Sequence, residues 1–163
     1  MSLDDDLARI ALQEKTLQFT RFDAAMAWEI GSRLKARAEK NGVALAIDIS
    51  LGTHTIFSFA MLGTIPNNAE WVRRKRNVVL RFHRSSYGVG LSMEKSQTTL
   101  AAQQGVDPRD YAAHGGSFPL QIVGTGCVGA ITVSGLPQRQ DHAYVVEVLA
   151  EYLGHDLNAL ALT

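Results

Sequence analysis

The chain has 163 residues, with 46% hydrophobic and 20% charged positions, a composition of folded globular proteins and long enough for one sizeable core. Lys plus Arg and Asp plus Glu stand at 16 each, which excludes a global field steering the protein to nucleic acid or an anionic membrane. The single cysteine excludes an intramolecular disulfide, no apolar run approaches the roughly 20 residues of a membrane span, and the acidic first residues lack a signal peptide's apolar core, so a cytoplasmic protein is expected.

Asp4-Asp5-Asp6 ahead of Leu7, Ile10 and Leu12 predict a peripheral first helix ending before Thr20, with acidic charge near its positive end. Leu17-Gln18-Phe19 reads as a short edge strand. Asp23 is a good N-cap for a second helix whose stripe is Ala27, Ile30, Gly31, Leu34 and Ala38 and whose stop is Asn41-Gly42. The small residues on that stripe suit close approach to a sheet.

Val43 to Ser50 predicts a strand, with Val43, Leu45, Ile47 and Ile49 on one face and Ala44, Ala46, Asp48 and Ser50 on the other. A turn at Leu51-Gly52-Thr53 leads to a partner strand, His54 to Met61. Asn67 and Glu70 form a capping-box-like pair at the head of a third helix running to about His83, faced by Trp71, Val78 and Phe82. One further helix is expected from Tyr87 to Ala102, and Asp107-Pro108 predicts one or two helical turns through Tyr111, ended by Gly115-Gly116. Phe118 to Val123 and Cys127 to Ser134, joined by Gly124-Thr125-Gly126, read as a β-hairpin. Asp141 begins the last helix, with Val145, Leu149, Tyr152 and Leu153 inward and Gly154 as the stop. No repeat or linker divides the chain, so residues 1–163 read as one domain.

Several features carry candidate chemistry. Gly124 to Gly129 matches G-x-G-x-x-G, but a β-branched run follows where a dinucleotide site needs a helix, so these glycines serve the hairpin. In Arg73-Arg74-Lys75-Arg76 the four side chains leave a helix in four directions, so they form no basic patch, and Arg73 and Arg76 read as solvated. Lys75 lies inside the apolar stripe. It requires a carboxylate partner, a route to water, or a site that receives an anion, the first two weighed ahead of the third. Asp48 is one possible partner; an exposed edge position is the other reading. Of the five histidines none pair at HxH or HxxxH spacing, so no metal site is expected. His114, ahead of Gly115-Gly116, and His142 read equally well as hydrogen-bonded structural groups or as ligands. Cys127 reads as a small apolar residue.

Gly115-Gly116-Ser117-Phe118-Pro119-Leu120 followed by Gly129-Ala130-Ile131-Thr132-Val133-Ser134-Gly135 resembles the haem-degrading domain family (GlcG-like). Leu136-Pro137, Asp141-His142 and Trp71 to Lys75 resemble its small, uncharacterised single-domain branch of about this length. The resemblance implies an α/β (α+β) profilin-like fold, a three-layer α/β/α arrangement around an antiparallel sheet of about five strands. It implies homo-oligomerisation, and haem as a cofactor by resemblance only, since some relatives bind it; no reaction follows. Two functions are carried forward: a protein binding a small anionic ligand, haem or another tetrapyrrole among the possibilities, at Lys75, His114, Gly115 and Gly116; and a structural or adaptor protein acting through assembly and protein partners.

Overall fold

The computed structural model of the chain describes residues 2–163. One antiparallel sheet, in the order β2-β1-β4-β3, is built from β1 (Ala46–Leu51), β2 (His54–Ala60), β3 (Ser117–Ile122) and β4 (Gly126–Ser134). Seven helices accompany it among the described residues: α1 (Leu3–Thr16), α2 (Ala24–Lys40), α3 (Pro66–Phe82), α4 (Ser86–Lys95), α5 (Leu100–Gln104), α6 (Gln138–Leu153) and α7 (Leu157–Leu160).

The sheet has four strands where about five were expected. Leu17-Gln18-Phe19 contributes one bridge instead of a strand: Phe19 N–H donates to Gln121 O and Val123 N–H to Phe19 O, each at 2.8 Å. The chain has no length to extend that pairing, because Asp23 already caps α2, accepting from Met26 N–H at 2.9 Å. β1 starts later than expected because Val43 N–H still closes α2, donating to Ala38 O.

Burial alternates across β1 and β4 between two different covers. Ile47, Ile49, Ile131 and Val133 join Ala27, Ile30 and Leu34 of α2 and Val145 and Leu149 of α6 in the main core. There the small stripe of α2 does what its composition suggests: a Cβ on Gly31 would strike the Phe57 ring. The opposite face carries Ala46, Asp48, Ser50, Ala130, Thr132 and Ser134, all buried. It is small and polar, so α3 lies close to it with two cations inward. Arg76, expected to be solvated, pairs with Asp48 at 3.0 Å, and Thr55 Oγ1 donates to the same carboxylate. Asp48 is therefore neither an exposed edge residue nor the partner of Lys75.

Local departures have local causes. At the head of α3 Pro66 takes the first position and Asn68 reaches back, its Oδ1 accepting from Ile65 N–H; Asn67 and Glu70 play no such part. Its buried stripe is Val72, Lys75, Val78 and Val79, leaving Trp71 at the margin. The expected single helix from Tyr87 is two, α4 and α5: Gln97 is left-handed at φ 51°, and Thr99 Oγ1 caps the second piece. Asp107-Pro108 makes a turn and no helix. The Asp107 carboxylate accepts from the backbone and guanidinium of Arg109, two residues on, which is an Asx-turn in place of a cap. α6 begins at Gln138, three residues ahead of Asp141.

Candidate functional site

Where α3 crosses the end of β4 and the start of α6, a cavity of about 380 Å³ opens to solvent. Asn68, Trp71 and Lys75 line it from α3, His114 from the segment before β3, Ser134, Gly135 and Leu136 from the end of β4, and Gln138 and Asp141 from α6. β4 and the residue after it lie tight against the β1 chain because a close approach is built in at two points. A Cβ on Gly129 would run into Ser50 O, and one on Gly135 into Ala44 O.

Lys75 Nζ donates to Asp141 Oδ2 at 2.8 Å and to Val133 O at 3.2 Å, with 4% and 1% of the two side chains exposed. Asp141 also accepts from Leu136 N–H (3.0 Å) and Gly135 N–H (3.4 Å). Desolvation dominates both groups. It lowers the Lys75 pKa from its usual value, although Asp141 acts in the opposite sense, and it raises that of Asp141 against the pull of Lys75 and two backbone N–H groups.

Gly116 holds the same corner open. Its φ is +132°, and a Cβ there would lie 2.5 Å from Val133 O and 2.7 Å from Lys75 Nζ. Gly115 N–H is directed to Gln138 Oε1 at 3.3 Å. His114 stands at the exposed rim, its ring edge-on to Trp71 at 5.3 Å. Its imidazole has no hydrogen-bond partner among the described residues. Burial first, then the charges of Lys75 and Arg74, hold its pKa below the usual histidine value.

Of the residues singled out from sequence, Lys75 and His114 line the cavity, while Gly115 and Gly116 form the buried turn next to them. His142 lies elsewhere, buried between Tyr87 and Phe118, with Nε2 2.7 Å from Gln13 Oε1. Sequence reasoning did not single out Asp141 as a site residue, nor Trp71 with Arg74 stacked on it at 4.8 Å. Arg74 has no carboxylate partner among the described residues. The signal for Asp141 was its place six residues past Gly135, at a helix start, where its side chain can turn back to the strand end. Cys127, whose Sγ contacts Gly129 O, is held as a thiol by burial. Among the described residues no cluster of His, Cys, Asp and Glu has the makings of a metal site.

Residues 22–150 match the family described as Haem degrading protein HbpS-like. The chain belongs to that family. Within the HbpS-like family it is similar along nearly its whole length to the UPF0303 protein of Azotobacter vinelandii, with 55% identity over 162 residues covering 99% of this chain and 98% of the relative. Among solved structures it is similar to the Ybr137w protein, at TM-score 0.83 and 29% identity, covering 91% of this chain and 87% of that one. It shares its fold with a PduOC–heme complex, at TM-score 0.65 and 15% identity over 79% of this chain and 93% of that one. Among the described residues no helix is long and apolar enough to cross a membrane.

Proposed function

We propose that this HbpS-like protein binds a small anionic ligand in the cavity at α3, with His114 at its rim, Lys75 in its wall and the buried Gly115-Gly116 turn behind them. The observation that carries the reading is His114. An imidazole whose pKa burial and neighbouring cations lower, without a hydrogen-bond partner among the described residues and set against an indole, is a polar group left for a ligand. The cavity volume is at the lower end of the range of small-molecule pockets, about 300–1,000 Å³. The Lys75 charge is balanced by Asp141, so the preference for an anion rests on Arg74, which stacks on Trp71, lines the adjoining groove with His114, donates to Pro108 O and lacks a carboxylate counter-ion among the described residues.

Haem or another tetrapyrrole is the ligand class favoured by the family description and by the heme complex of PduOC. The residues fit the carboxylate-bearing edge of such a macrocycle: Trp71 for the ring plane, the remaining N–H of Lys75 for a carboxylate, and Arg74 in the adjoining groove for a second one. No residue is assigned to iron. Bound haem would supply redox chemistry at the metal; this chain's residues supply the pocket, and no reaction is assigned. The whole of residues 1–163 acts in this reading as one cytoplasmic domain that assembles with copies of itself.

Hemin titration tests it. Trp71 fluorescence, isolated by Trp28→Phe, should be quenched with saturation, and His114→Ala with Arg74→Ala should weaken binding at least about tenfold, the effect of losing 1.4 kcal/mol or more. Saturable binding unchanged in both variants would place the ligand elsewhere. A second reading, an adaptor acting through protein partners, is favoured by a separate observation: Leu62 is fully exposed, with Ile65 and Phe59 near it in sequence also exposed.

A further inference from the structure

Lys75 and Asp141 are among the most deeply buried charged side chains in the chain, yet both line the cavity. A pair that only tied α3 to α6 would contribute little, since desolvation usually offsets most of what a buried pair contributes. The ammonium has three N–H groups and two protein acceptors, Asp141 Oδ2 and Val133 O. Gly116 makes room for Nζ, since a Cβ there would lie 2.7 Å from it. Burial shifts the two groups in opposite directions, the amine down and the acid up, each toward its neutral form, as at nucleophilic lysines in desolvated pockets.

We propose that Lys75 is an imine-forming nucleophile and that the cavity captures a small aldehyde or ketone, with Asp141 relaying the protons. The proposal rests on reading this cavity as the ligand site. The ammonium first passes a proton to Asp141. The free amine's lone pair attacks the carbonyl carbon, and the C–O π pair moves to oxygen, which takes the proton from Asp141. Nitrogen then returns a proton to Asp141. The hydroxyl accepts that proton and leaves as water while the nitrogen lone pair forms the C=N bond. Amine and carbonyl compound give iminium and water, with nothing oxidised or reduced. The buried corner begins as ammonium and carboxylate and ends as iminium and carboxylate, so its net charge is unchanged. The iminium keeps one N–H for Asp141, the nearer acceptor, and gives up the longer bond to Val133 O.

Trapping with glyoxylate and, separately, benzaldehyde in the presence of cyanoborohydride tests the step on the intact chain at neutral pH. Peptide mapping then compares Lys75 with Lys15, Lys35, Lys40 and Lys95, none of which is buried. Each unit by which burial lowers an amine pKa raises its reactive fraction about tenfold at fixed pH. Lys75 is therefore expected to carry the dominant adduct in the folded protein, and all five lysines to react alike in urea. Exposed lysines labelled with Lys75 bare in the folded state would overturn the proposal. A parallel hemin titration separates the two failures. Saturable quenching of Trp71 without a Lys75 adduct leaves the binding site and removes the imine; absence of both removes both.

Discussion

Lys75 shows how far a single residue can be read before its surroundings are known. Its place inside an apolar stripe demands a partner, a route to water or an anion, and the partner exists: Asp141, 66 positions away. The identity of that partner was not legible, because it depends on α6 starting at Gln138 and on Gly135 pressing β4 against the backbone at Ala44. Asp48, the acidic residue on the correct strand face, is taken by Arg76. The geometry changes what Lys75→Met should do. The substitution leaves the Asp141 carboxylate buried with two backbone donors and no cation, so unfolding free energy should fall by about 3–5 kcal/mol in urea titrations. Adding Asp141→Leu should recover much of that loss. A single variant as stable as the parent would mean that Asp141 takes up a proton at little cost. Gly116→Ala should also destabilise, by at least about 1 kcal/mol, because it meets both a left-handed φ and the Lys75 ammonium.

At the scale of elements, periodicity and caps located the long helices and the hairpins, and two of the misses fall where a side chain has two uses. Asp107 could cap a helix or close an Asx-turn, and Arg109 decides for the turn; Asp141 could cap α6 or pair with Lys75, and the start of α6 moves accordingly. The β3–β4 hairpin is the firmest element in the sequence, and its glycines carry a prediction. Gly129→Val and Gly135→Val should each lower stability by at least about 1–3 kcal/mol, since each Cβ meets a main-chain carbonyl of the β1 chain that cannot swing aside; denaturant midpoints equal to the parent's would contradict the packing of β4 against β1. The joint of α6 with α1 gives a pH prediction. His142 is buried, bonded to Gln13 through Nε2, and desolvation, with Arg139 adding to it, lowers its pKa to about 3. Its unfolded value lies near 6.5. Between these values the unfolded chain binds the extra proton, so the contribution is intact above about pH 6.5 and is lost as pH falls toward 3, at up to about 1.4 kcal/mol per unit. Melting temperature should therefore drop from pH 7 to pH 5, and His142→Gln should flatten that drop. An equal slope in the variant would assign the acid sensitivity to other groups.

At the scale of the whole molecule, the layered α/β plan was legible from the alternation in Val43 to Ser50 and from the two glycine motifs, while the surface that would join copies was not. Leu3, Leu7 and Ile10 had no evident place in the sequence, but they are covered: Ile10 is buried against Tyr87 and Leu91, and Leu3 and Leu7 pack with them beside Leu162. The two sheet edges differ instead. The β3 edge is covered at Ile122 by Phe19, whereas β2 has no strand on its outer side among the described residues. Just past it Leu62 is 100% exposed and Ile65 64%, and Phe59 on the strand itself is 40% exposed. In sequence these residues flank Gly63 and resemble an ordinary turn. An open edge beside clustered apolar side chains invites pairing with another chain, and a second copy carries the same edge and satisfies a two-fold arrangement. Sedimentation at micromolar concentration should accordingly show a species larger than the 17.8 kDa chain. Leu62→Asp combined with Ile65→Asp should shift it to the monomer without lowering the melting temperature of the isolated fold, because neither side chain is buried within one chain. A parent that sediments as a monomer would remove self-assembly. A double variant that stays assembled would move the interface to another surface, with the exposed Trp28 the next position to change.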